Sequence, residues 1–127
     1  MSREIKFRAY DKEAKEYYYN AEYTYDFQCS GRGCYADSFG DLLEHPERYV
    51  VEQYTGLKDK NGKDIYEGDV LRFKMHTGKY ENYEIVFRDA MFEAINADDT
   101  NFISYSTWDF GEVIGNIHEN PELLNPA

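Results

Sequence analysis

Residues 4 to 10, EIKFRAY, set Ile5, Phe7 and Ala9 against Lys6, Arg8 and Tyr10, the two-residue period of a half-buried strand. The polar DKEAKE that follows supplies a turn and YYYNAEY a second strand, so residues 4 to 20 are expected to form a β-hairpin with Tyr17 and Tyr19 on one face. Tyr23, Tyr25 and Phe27 carry the alternation onward until CSGRGC breaks it with two glycines. A helical signal shows in SFGDLLEHP. Ser38 can cap the free N–H groups, Asp41 stands three residues on, and Pro46 halts propagation after about two turns. Leu42 and Leu43 are the residues expected to dock this helix on a sheet, and Gly40 weakens it by about 1 kcal/mol relative to Ala.

From RYVVEQYTGL onward the strand period returns. Leu71, Phe73 and Met75 alternate with Arg72 and Lys74, Tyr83, Ile85 and Phe87 with Glu84, Val86 and Arg88, and MFEAI and EVIGNI add further strands. Short strands with turn signals about every 8 to 12 residues predict a small barrel or sandwich. The expected class is therefore mostly β, an α+β chain with one short helix. The break near residue 50 divides it into residues 1–50, hairpin plus helix, and 51–127, or marks no more than a soft point in one unit.

Composition sharpens this picture. Aromatic residues make up 17% of the chain, with 13 Tyr and 8 Phe, far too much bulky core material for a disordered polypeptide. The net charge of −11 opposes binding to phosphate backbones, which rests on Lys and Arg displacing counterions. That charge is uneven, about −3 over residues 1–50, +1 over 51–80 and −9 over 81–127. No apolar run approaches the ~18 residues of a membrane span, and MSREIKFRAY lacks the apolar block of a signal peptide, so a cytoplasmic location is expected. Cys29 and Cys34 are then expected to be reduced thiols.

KDKNGKD places Asp59 and Asn61 at alternate positions, as in a calcium loop, yet Gly62 falls at position 4 rather than 6 and Val70 stands where position 12 needs a bidentate Glu. Asn61-Gly62 is better read as a hairpin turn ringed by the solvated Lys58, Lys60 and Lys63. In YEGDV, Gly68 supplies turn backbone and Asp69 is read as a turn cap rather than a catalytic acid. Cys29 and Cys34 lack a second pair that would complete a zinc site with His45, His76 or His118. The Asp109-Phe110-Gly111 triplet stands without any other kinase motif, so Trp108 and Phe110 are expected in the core around a turn at Gly111. Tyrosines 17 to 25 can stack bases, but Glu16, Glu22 and Asp26 surround them, and cross-strand packing or self-association explains them better.

EIKFRAYDKE near the start, QYTGLKDKNGKDIYEGDVL in the middle and EVIGNIHENPELL at the end, in that order and spacing, resemble the YopX family of phage and prophage proteins. The resemblance implies a mostly β protein with an SH3-like barrel in its C-terminal part, a tendency to self-associate, and no known activity or catalytic residues, and the expected architecture is the N-terminal β-hairpin region packed on that barrel. The expected function is a non-enzymatic, homo-oligomeric interaction module in the bacterial cytoplasm, without cofactor or metal. Its acidic C-terminal face would meet a host protein with a basic surface. The candidate interaction surface is Tyr17, Tyr19, Tyr23, Tyr25, Lys58, Lys60 and Lys63. The alternative is a nucleic-acid-binding barrel using Lys58, Lys60, Lys63, Arg72, Lys74 and Lys79 as a basic patch.

Overall fold

The computed structural model describes residues 4–23, 38–99 and 102–124, so Tyr25, Phe27, Cys29 and Cys34 lie outside the described residues. The chain forms two compact units, Met1–Gln53 and Tyr54–Ala127.

In the first unit the expected hairpin is present. Strands β1 (Phe7–Asp11) and β2 (Glu16–Tyr19) pair antiparallel, with Arg8 opposite Tyr19 and Asp11 opposite Glu16. The other edge of β1 pairs antiparallel with the first half of β3 (Tyr49–Lys58), from Phe7 opposite Gln53 to Asp11 opposite Tyr49. Helix α1 (Phe39–Glu44) starts where the capping signal put it, with the Ser38 hydroxyl accepting from the Asp41 N–H at 3.2 Å. Ala9, Ala21, Leu42 and Tyr49 form the buried core, with Phe7, Phe39 and Val51 packed against it. Leu42 is buried but Leu43 is 55% exposed, because neighbouring helix residues point about 100° apart and one stripe alone can face the sheet. The alternation does not run on through Tyr23. Asn20 turns the backbone at φ 57° and Ala21–Tyr23 form a 3-10 helix.

Charged side chains on both faces of β1 are buried as well. Arg8, Asp11, Arg48 and Glu52 are each at most 8% exposed. The Arg8 guanidinium donates to Glu52 at 2.8 Å and lies 4.4 Å from the centre of the Tyr17 ring, whose hydroxyl also donates to Glu52. Arg48 grips both oxygens of Asp11 at 3.1 Å, and Asp11 accepts from the Glu13 and Ala14 N–H groups to close the hairpin turn. Burial pushes the Asp11 carboxyl up, but Arg48 and these N–H groups outweigh it and hold the acid below its ordinary value.

The second unit completes the mostly β fold. The end of β3 pairs with β4 (Asp64–Tyr66). Strands β5 (Asp69–Lys74), β6 (Tyr80–Arg88), β7 (Met91–Ile95), β8 (Phe102–Ile103) and β9 (Glu112–Asn116) form an antiparallel sheet in the order β8-β7-β6-β5-β9. That arrangement is compatible with a small SH3-like barrel. Ile65, Leu71, Phe73, Tyr83, Ile85, Ala94 and Trp108 make its core, each fully buried aliphatic chain contributing about 1.5–3 kcal/mol. Leu71 with Phe73 and Tyr83 with Ile85 keep the expected alternation. Phe87 does not. It sits near the β6–β7 hairpin tip, opposite Phe92, and is 51% exposed.

The central turns are built by aspartates. Asp59, 5% exposed, accepts from the Asn61 and Lys63 N–H groups within its own loop and from Val113 N–H of β9, each at 2.9 Å. The carboxylate thus shapes the hairpin and ties it to the sheet, where a calcium ligand would need free oxygens. Asp69 does cap its turn, but backwards, accepting from Tyr66 N–H at 2.8 Å, while Gly68 at φ 89° takes a backbone angle that other residues resist.

Candidate interaction surface

The structure sorts the sequence-predicted surface residues into engaged and projecting groups. Tyr17 is engaged. Its ring packs 5.0 Å from Tyr10 and its hydroxyl belongs to the Arg8–Glu52 network. Tyr19 and Tyr23 project, at 57% and 72% exposure, and β2 lies at the edge of the described sheet. Lys58 pairs with Asp64 and Arg72 with Glu112 at 3.0 Å, so two members of the basic patch have their charge matched locally. Lys60 and Lys63 are exposed beside the Asn61-Gly62 turn. Trp108 is fully buried as expected, whereas Phe110 is 73% exposed instead of filling the core. The space beside Gly111 is already taken by the Phe73 ring, which lies 2.7 Å from where a Gly111 Cβ would stand.

A second feature was not read from the sequence. Thr55, Leu57, Met91, Phe92, Tyr105 and Trp108 line a pocket of about 220 Å³ within the second unit. Three separate segments build it. In β3, Gly56 adopts φ 90° and the register against β4 slips between Tyr54 and Lys58, the signature of a bulge that re-aims its flanking side chains. The isolated glycine in a strand pattern was the available signal. At the start of β7, Phe92 meets the exposed Phe87 edge to face at 4.9 Å. A 3-10 helix over Tyr105–Phe110 delivers Tyr105 and Trp108.

The polar atoms of this lining are largely committed elsewhere. Thr55 Oγ1 donates to the Ile65 carbonyl at 2.7 Å and accepts from Leu57 N–H, and the Trp108 indole N–H donates to the Ile103 carbonyl at 3.0 Å. Among the lining side chains the Tyr105 hydroxyl, on a residue 59% exposed, is what remains to face a ligand. The pocket therefore offers chiefly apolar surface. No group of three or more His, Cys, Asp or Glu side chains placed to hold a metal ion occurs among the described residues.

Charged residues stand next to the lining in sequence and register. Arg88, in the strand that leads to the hairpin tip, meets two carboxylates, Asp99 at 2.7 Å and Glu93 at 2.9 Å. Asp99 is held below the ordinary carboxylate range by the Arg88 hydrogen bonds. Asp89, in the turn before Met91, and Asp109, next to Trp108, are exposed.

A mostly β protein of two compact units, with an aromatic pocket on an acidic second unit, is the class these observations define. The chain belongs to the YopX family: the family model described as YopX protein matches residues 6–125. Among solved structures it is similar to protein EF1440 from Enterococcus faecalis, with 32% identity, 98% of this chain and 100% of that one covered, and a TM-score of 0.65. It also shares the fold of the protein yopX from Bacillus subtilis, at 20% identity over 94% of this chain and 98% of that one, with a TM-score of 0.58. Comparison with curated protein sequences returned no match. Among the described residues no helix is long and apolar enough to cross a membrane.

Proposed function

We propose that the protein is a non-enzymatic accessory protein of a phage or prophage, acting in the host cytoplasm as a self-associating interaction module that presents its acidic second unit to a basic partner. The observation that carries this reading is the set Phe87, Met91, Tyr105 and Phe110, 45–73% exposed within a segment of charge about −9. Exposed aromatics amid like charges suit a partner that brings both apolar anchors and cations. The phage setting is what the resemblance to YopX proteins implies, and the bacterial sources of the two similar structures support a bacterial host.

Capture from a bacterial lysate tests it, comparing the wild type with Phe87→Ser/Tyr105→Ser/Phe110→Ser. The expected result is a basic protein held by the wild type, lost from the variant, and released at about 1 M salt, where the Debye length is about 3 Å. Identical capture by both proteins, or none beyond a charge-matched control, overturns the reading.

A further inference from the structure

We infer that the pocket between the Gly56 bulge, the start of β7 and the Tyr105–Phe110 helix is an anchor site for one bulky apolar side chain, Phe or Leu, carried on a cationic segment of a partner protein. The inference rests on the interaction-module reading and specifies its partner.

Size makes the first argument. Pockets for complete small-molecule ligands run to about 300–1,000 Å³ and hold a few converging polar groups. This one is near 220 Å³, the scale of a single large side chain, and its Thr55 hydroxyl and Trp108 N–H are already bonded within the fold. What the site offers is burial against Leu57, Met91, Phe92 and Trp108, the kind of contact that anchor residues at interface centres make.

Charge makes the second argument. Lys58, adjacent to the lining Leu57, is matched by Asp64, and Arg88, paired in register with the lining Met91, is matched twice, by Glu93 and Asp99. Asp89 and Asp109, close in the chain to Met91 and Trp108, add two exposed negative charges against that of Lys60, which has no ion pair among the described residues and is brought near by its backbone N–H bond to the Gly111 carbonyl at 3.0 Å. An acidic segment brought to this rim would be repelled, while Lys or Arg flanking the anchor would be attracted. The complementarity selects a cationic partner over a second copy of this acidic chain.

Trp108 is the sole tryptophan of the chain and lines the pocket, so its fluorescence reports occupancy directly. Three short peptides serve as probes: Lys-flanked with a central Phe, the same with Ala in its place, and Glu-flanked with the central Phe. The Lys-flanked Phe peptide is expected to shift Trp108 emission and to saturate at about tenfold lower concentration, or less, than either control. Met91→Glu, at a position 45% exposed, should abolish the preference for Phe over Ala. Asp89→Lys/Asp109→Lys should abolish the preference for Lys over Glu flanks.

Equal, salt-sensitive binding of the Phe and Ala peptides would overturn the anchor site and leave the acidic-surface reading standing. Equal binding of the Lys-flanked and Glu-flanked Phe peptides would overturn the cationic partner. If no peptide binds, the anchor site falls, and lysate capture by the wild type against the triple variant decides the broader reading on its own.

Discussion

Asp59 shows how a residue that resembles a ligand can be structural. Three backbone N–H groups, from Asn61, Lys63 and Val113, end on its carboxylate in a nearly buried position. Asp59→Asn keeps one acceptor oxygen and turns an amide donor toward donors, so it should lower stability by about 1–3 kcal/mol in urea unfolding. Burial alone would raise the pKa of Asp59, but the bonds from Val113, Lys63 and Asn61 outweigh it and hold the group below its ordinary value. The folded state therefore favours the ionised acid. Its contribution is complete above the unfolded pKa of about 3.9 and disappears as pH falls through the lower folded value. The gap between wild type and Asp59→Asn should accordingly be widest near neutral pH and narrow below about pH 4; a gap that widens on acidification would refute this account. Gly111 acts by absence. A methyl group there meets the Phe73 ring at 2.7 Å, so Gly111→Ala should cost about 1–3 kcal/mol, read as a drop in the thermal midpoint.

At the scale of elements, β1 and the β6–β7 hairpin show where alternation succeeds and where it misleads. The period of β1 correctly separated Phe7 and Ala9 from Arg8 and Tyr10. It could not show that charged side chains on both faces would be covered, because Glu52 and Arg48 reach Arg8 and Asp11 from about forty residues away in sequence. Removing Glu52 takes from the buried Arg8 guanidinium the carboxylate that offsets its charge, so Glu52→Ala should destabilise by about 3–5 kcal/mol, whereas Arg8→Met/Glu52→Leu should lie near the wild type. Equal losses in the two would show that packing rather than charge isolation dominates. The hairpin tip was illegible for a different reason. Asp89 and Ala90 both adopt left-handed backbone, at φ 52° and 64°, although Asp-Ala carries no turn signal. Ala90→Gly should relieve that strain and raise stability by about 0.5–1 kcal/mol, with Trp108 fluorescence unchanged. The Ser38 cap and the β1–β2 hairpin were readable because each is encoded within a few residues. The pocket was not, since its walls come from residues 55–57, 91–92 and 105–108 and only folding brings them together.

At the scale of the whole molecule, charge and aromatic surface oppose each other. A chain of 127 residues with net charge −11 repels its own copies, most strongly at low salt. Self-association through Tyr19 and Tyr23, both exposed and on or beside the edge strand β2, would gain from burying apolar ring surface and should therefore strengthen as salt screens the repulsion. A contact between the basic tip of one copy and the acidic unit of another would behave in the opposite way, weakening with salt. With Lys58 matched by Asp64, that contact would depend on Lys60 and Lys63. The tyrosine contact is the one expected to dominate, because each copy carries 25 acidic side chains against 14 Lys and Arg. In sedimentation velocity across a salt series, Tyr19→Ser/Tyr23→Ser should weaken association about tenfold or more at every salt concentration, since polar replacements forfeit most of the ring burial. Lys60→Gln/Lys63→Gln should weaken it at low salt alone, where added net charge is least screened. Association that survives the tyrosine change and declines steadily with salt would instead assign assembly to the basic tip.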